Sequence, residues 1–236
     1  MRLEKKIALV TGGTGELGKA VTKKMLLEGA DVVVTYRSDA DLPEFRSSFA
    51  DVTAIKADVT NEEDVHRLFD AVIMKKNGLH ILCNLVGGYM PKKNIAEMQQ
   101  QEWDFMFSLN LKTCFLCTRE ALRAMQKSRY GRIVNVSAMA GFDLGAGRGA
   151  YGISKSAVAN LTRVAGEEAK ALSGADITVN AIAPSILMTA GNTKSADKQE
   201  TAKWVTLEQA ADIICYLASG DASAINGETI RIYGRV

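Results

Sequence analysis

Proline is scarce in this chain of 236 residues, with three in all, and histidine, tryptophan and cysteine number two, two and four. No proline- or serine-rich stretch separates one part of the chain from another, so nothing marks a flexible linker. Four cysteines are too few for a disulfide framework in a chain of this length, and Cys83, Cys114, Cys117 and Cys215 mostly sit in apolar runs, as buried reduced thiols do. Cys114 and Cys117 form a CxxC inside a helical pattern with no second pair and no adjacent histidine, so no metal site is expected there. His66 and His80 stand apart from any group that would make a triad or a metal site. No apolar run approaches the ~20 residues of a membrane span, so no membrane partner is expected. No run of Lys and Arg interleaved with aromatics suggests a nucleic-acid groove, and the formal charge of +2 comes from scattered residues. A secretory leader is not apparent, because a strand begins at Lys6 or Ile7 and glycines follow at once; the expected location is the cytoplasm.

What the chain does contain is a regular alternation. With 47% hydrophobic and 24% charged residues it suits one domain over residues 1–236. Short β-branched runs at 6–10, 31–36, 52–57, 79–84, 132–137, 176–182 and 228–233 alternate with helical periods near 17–28, 61–76, 101–126, 150–172 and 206–219. The crossover at 39–50 has no clear period. Alternating β and α predicts an α/β fold: a doubly wound parallel sheet of about seven strands, Rossmann-like, with helices on both faces. Ligands of such sheets sit at the carboxyl ends of the strands. The irregular stretch 185–204 follows a strand and is therefore placed as a lid over that edge.

Two patterns carry chemistry. Thr11-Gly12-Gly13-Thr14-Gly15-Glu16-Leu17-Gly18 follows the first strand and opens the first helix, where glycines allow a tight turn and let a pyrophosphate approach the helix N-terminus. After the second strand come Tyr36, Arg37 and Ser38, with no acidic residue for ribose hydroxyls; an arginine there suits a 2′-phosphate, which favours NADP (NADPH) over NAD. Tyr151 and Lys155 open an amphipathic helix four residues apart, so they share a face. A phenol titrates near ~10, and a neighbouring cation is expected to lower that and ready Tyr151 as a proton donor to a carbonyl.

Together these motifs make the chain resemble the short-chain dehydrogenase/reductase family, of the single-domain type and nearest in pattern to the 3-oxoacyl-acyl-carrier-protein reductases. The resemblance covers essentially the whole chain and rests also on Asp58-Val59, on Asn84-Leu85-Val86-Gly87, on Asn110 and on Pro184-Ser185 through Thr189. It implies that Asp58 and Val59 meet the adenine, that Asn84, Val86 and Gly87 stand in the stretch after the fourth strand, and that Pro184, Ile186 and Thr189 lie over the nicotinamide. It further implies that Lys155 holds the ribose while Asn110 anchors a water behind it.

Three positions depart from the family pattern. Glu16 stands where a glycine is usual, Ser185 replaces a glycine, and the family's catalytic serine position falls on Ala138, one place after Ser137. Successive strand side chains face opposite ways, so Ser137 would serve as that hydroxyl only if the strand end bulged. The resemblance then implies an NADPH-dependent reductase of a small-molecule carbonyl or iminium-like carbon. Two other readings stand beside it. A dihydropteridine or quinonoid-type reductase, which also works without this serine, accounts for Ala138; a regulatory nucleotide-binding protein with vestigial catalysis accounts for Glu16 and Ala138 together. Tyr89, Met90, Met139, Phe142, Leu144, Leu187 and Met188 are placed at the mouth of the site, favouring an apolar or ring substrate. Family members pair their long helices, and Ala121, Ala124, Ala157 and Ala169 leave room for it, so a homo-oligomer, tetramer or dimer, is expected.

Overall fold

The computed structural model describes every residue from Met1 to Val236 except Ser195. Its elements run β1 (Ile7–Thr11), α1 (Glu16–Leu27), β2 (Asp31–Tyr36), α2 (Leu42–Ser48), β3 (Thr53–Lys56), α3 (Glu62–Lys76), β4 (Ile81–Asn84) and α4 (Gln100–Phe107). A π-helical turn, Ser108–Lys112, leads into α5 (Thr113–Ser128), β5 (Tyr130–Val136), α6 (Gly149–Lys170), β6 (Asp176–Pro184), the short turns α7 (Ala190–Thr193) and α8 (Lys198–Thr201), α9 (Leu207–Leu217) and β7 (Thr229–Ile232). All seven strands form one parallel sheet in the order β3-β2-β1-β4-β5-β6-β7. The order reverses between β1 and β4, which opens a crevice at their carboxyl ends.

The two-residue period of the strands sorts their side chains onto two cores. Ala8, Val10, Val32, Val34, Ile81, Cys83 and Val134 face one side, where Val21 and Met25 of α1 and Ala210 and Ile214 of α9 cover them. Leu9, Val33, Leu82 and Ile133 face the other, under α3, α5 and α6. Because both faces are covered, strands that lack polar alternation are what this fold requires.

Two expectations need correction. The long helix expected over 101–126 is two α-helices joined by the π turn, and the unclear crossover at 39–50 is a 3₁₀ turn at Asp39–Asp41, capped by the Ser38 hydroxyl, followed by α2. The expected lid contains the two short turns α7 and α8, with Ser195 itself outside the described residues.

At the base of β5, Arg132 is completely buried, donating to the backbone oxygens of Ser219 (3.1 Å), Gly131 (2.9 Å) and Asp176 (2.8 Å) and to the Asp176 carboxylate (2.8 Å). It ties β5 to β6 and to the end of α9. Replacing it strands several buried carbonyls, so Arg132→Met is expected to lower unfolding free energy by about 3 kcal/mol in urea titrations. Asp176→Asn, whose carboxylate is half in solvent, should cost less than about 1 kcal/mol.

Candidate active site

The glycine turn is built from close approaches. Gly12 has φ +67°, and its N–H donates to the Thr35 hydroxyl at 2.9 Å. A methyl at Gly18 would sit 2.3 Å from the Gly12 carbonyl oxygen and one at Gly13 2.4 Å from the Val34 Cβ, so neither position tolerates a side chain where it stands. Gly15 caps α1 with no side-chain acceptor, which leaves the first N–H groups of the helix directed at the crevice. A cleft of about 560 Å³ opens there, lined by Gly12, Thr14, Gly15, Arg37, Asp58, Val59, Val86 and Gly87 of the expected set. Thr35, Tyr36, Asp41 and, from α4 and the π turn, Phe105 and Leu109 also line it. Phe105 and Leu109 are four apart and share a helical face, but in sequence they read only as part of an apolar stripe.

Other expected residues serve the cleft from outside its lining. Leu17 packs into the first core, and Asn84 is buried with its amide nitrogen bonded to Thr118 Oγ1 (3.1 Å) and Asn135 Oδ1 (2.9 Å). Asp58 accepts from the hydroxyl and N–H of Thr60 at 2.7 and 2.9 Å; these bonds, the hydroxyl first, and the Arg37 charge hold its carboxyl below the usual range. Pro184 ends β6, the Ile186 carbonyl accepts from Val205 N (3.0 Å), and the Thr189 hydroxyl caps α7. Glu16 reaches from the first turn of α1 to that same segment: its carboxylate accepts from the Ala190 N–H at 2.7 Å. The residue that departs from the glycine pattern thus ties the turn to the segment after β6.

Tyr151 stands in the first turn of α6, with Lys155 one turn on and buried. The Lys155 ammonium donates to the Val136 carbonyl at 2.9 Å, and burial pushes its pKa down to about 8. Burial also pushes Tyr151 up, to about 12, with the Tyr89 phenol adding to the rise and Arg148 alone opposing it. The lowering expected from the lysine is absent: Lys155 has no part in the shift, and desolvation sets its direction.

Asn110 lies in the π turn, fully enclosed. Its Oδ1 accepts from Gly88 N (2.8 Å), and its Nδ2 donates to Gly88 O (3.2 Å) and to Ser154 Oγ (3.0 Å). A methyl at Gly87 would come within 2.9 Å of both Asn110 Oδ1 and Lys155 Nζ, so only a bare glycine fits between these two groups and the cleft it lines.

Ser137 is placed differently from a working hydroxyl. It is buried, and its Oγ donates to the Lys155 backbone carbonyl at 2.7 Å. No bulge displaces it: Ser137 N continues the ladder to Ile182 O at 2.8 Å, and Ala138 stays extended (φ −160°, ψ 159°). Ser137 thus keeps to the side of Asn135, which bonds Thr162 of α6.

Of the residues expected at the mouth, Tyr89 meets the Tyr151 ring edge to face, with centroids 5.1 Å apart. Phe142 lies under the Arg231 guanidinium, and Leu144 is exposed. The four cysteines are buried free thiols; burial raises all of them, and those of the CxxC lie inside α5.

Comparison with known proteins gives a consistent picture. A family model described as short chain dehydrogenase matches residues 6–200. The chain is 32% identical to a 3-oxoacyl-acyl-carrier-protein reductase of Thermotoga maritima and 30% identical to one of Aquifex aeolicus, in each case over 99% of this chain and 98% of the relative. Among solved structures, a short-chain type dehydrogenase/reductase from Mycobacterium ulcerans superposes with a TM-score of 0.90 at 26% identity, covering all of this chain and 90% of that one. The structure of ElxO with NADP bound superposes with a TM-score of 0.89 at 28% identity, covering 97% of each.

The displaced titration of Lys155 is measurable as stability. An unfolded lysine keeps its proton up to the ordinary value of 10.5, whereas the folded one releases it near 8, so between these values the unfolded state binds more protons and stability rises with pH. Urea titrations of the wild type and Lys155→Met should therefore differ by an amount that is constant below pH 8 and moves in favour of the wild type from pH 8 to 10.5. Tyr151, raised from 10.0 to about 12, acts in the opposite sense at higher pH, and in both proteins alike.

Proposed function

Since the chain belongs to the short-chain dehydrogenase/reductase family and is an oxidoreductase of CH–OH and C=O groups, we propose that it reduces a small apolar carbonyl compound with NADPH, in the manner of the 3-oxoacyl-acyl-carrier-protein reductases it resembles. What carries the proposal is Lys155, one helical turn from Tyr151, set against the bare Gly87 that lines the cleft of the glycine turn. The cleft fits a dinucleotide. Gly13 and Gly18 leave no room for side chains in its turn, its helix end has uncapped N–H groups, and Arg37 lines it as well.

Bound NADPH would be held by residues 12–18, Arg37, Asp58, Val59, Val86, Gly87, Lys155 and the segment from Pro184 to Thr189, and it supplies the hydride. Tyr151 gives the carbonyl oxygen a proton. A phenol made more basic by burial holds that proton until the oxygen acquires charge, and Lys155, already inclined to lose its own, stands behind it. The Ser137 hydroxyl has no part in this, since it is bonded into α6. Loss of that donor favours, as a second reading, an activated ring substrate of the quinonoid or dihydropterin kind. Self-association belongs to the same proposal: Ala121 and Ala169, expected to serve it, are instead buried in the second core, and Phe115 and Val164 stand exposed on α5 and α6, as a homodimer or homotetramer would use them.

Oxidation of NADPH followed with an acetoacetyl thioester, a vicinal diketone, a quinone and a quinonoid dihydropterin tests the reading, and at least one should be reduced. Tyr151→Phe should lower turnover by about a hundredfold or more with NADPH affinity retained, while Ser137→Ala should change it by less than about fivefold. Fluorescence titration should give tighter binding of NADPH than of NADH, and Arg37→Asp should reverse that order; equal affinities in the wild type would remove Arg37 from the assignment.

A further inference from the structure

Reduction of a carbonyl places negative charge on an oxygen with two lone pairs, and a proton donor addresses only one of them. The second is normally met by another fixed donor. Here the expected position holds the Ala138 methyl, and the neighbouring Ser137 hydroxyl is turned into α6.

Another hydroxyl lies beside Tyr151, that of Tyr89. Tyr89 follows Gly88, whose N–H and carbonyl are both gripped by Asn110, so the backbone that carries Tyr89 is set by the same buried amide that bonds Ser154 in α6. Further along, the loop is pinned again: Lys93 N donates to Gly147 O at 2.8 Å, and the Lys93 ammonium pairs with Glu102 at 2.7 Å. Between these anchors the Tyr89 ring packs edge to face on Tyr151 at an interplanar angle of 79°. Neither phenol oxygen has a hydrogen-bond partner among the described residues, and Tyr89 is 69% exposed although its ring is held. The Tyr89 phenol is near enough to raise Tyr151, as a second phenol facing the same space would.

We infer that Tyr89 is a catalytic residue of this site: its hydroxyl takes the place of the missing serine and donates to the second lone pair of the substrate oxygen. The inference rests on the reductase reading above. Tyr89 keeps its own proton throughout. The hydride forms the new C–H bond, the Tyr151 O–H bond breaks to form the alcohol O–H, and Tyr89 contributes a hydrogen bond that strengthens as charge develops on the oxygen.

The test uses the full chain with whichever probe of the panel above it reduces fastest. Tyr89→Phe keeps the ring and its packing and removes only the hydroxyl, so NADPH affinity and melting temperature should stay as in the wild type while kcat falls by about tenfold or more. Adding Ala138→Ser to that variant should restore much of the loss, because a hydroxyl returns to the other side of the same oxygen. A smaller fall in Tyr89→Phe overturns the role, as does a fall left unrescued by an Ala138→Ser protein that binds NADPH normally. Full activity in Tyr89→Phe with Tyr151→Phe inactive sinks the second donor alone; full activity in Tyr151→Phe, or no reduction of any probe, sinks the reductase reading and this one with it.

Discussion

The arrangement depends on one buried cation. Lys155 lies inside the protein with one oxygen among the described residues, the Val136 carbonyl, accepting from it, and its surroundings are shaped to keep that tolerable. The end of β5 must present a free carbonyl there, α6 must run close enough for Ser137 to bond its backbone, and Gly87 must carry no side chain. The depressed lysine and the raised tyrosine share one cause, desolvation. Burial thereby favours the neutral form of each, the amine of Lys155 and the phenol of Tyr151.

The sheet was legible because its strands leave a simple trace. Runs such as Ile7–Thr11 and Asp31–Tyr36 are apolar on both faces, and a parallel sheet between two helical layers is the arrangement that buries both. The glycine turn and the Tyr151–Lys155 pair were legible because their geometry is local: each lies within one turn or one helical repeat. Strand parity also read correctly at Ser137, since side-chain direction follows from backbone period alone.

What was not legible depends on distant parts of the chain. The π turn changes the hydrogen-bond register of a helix and leaves its composition ordinary, so 101–126 read as one helix. The sign of the Tyr151 shift required knowing how deeply α6 is buried and that Tyr89 faces it, which no spacing encodes. Phe105 and Leu109 joined the cleft for a similar reason: an exposed or half-exposed apolar residue on a helix gives no indication of the space it borders. Glu16 read as a departure from a glycine pattern, whereas its partner, Ala190 N, is contributed by the far end of the chain.

The π turn also bears on how the chain tolerates insertions and deletions. Such a turn is a helix carrying one surplus residue, and that residue rotates everything beyond it by about 100° relative to an unbroken α-helix. In the present register Asn110 faces Gly88, while Leu116, Cys117 and Ala121 face the second core. Removing one residue from Ser108–Lys112 would let the backbone relax into regular α-helix and would take the amide from Gly88 or the apolar stripe of α5 from its core. Neighbouring loops absorb changes of length at the surface, but this segment counts residues, and the count it keeps is the alignment between the site and the core beneath it.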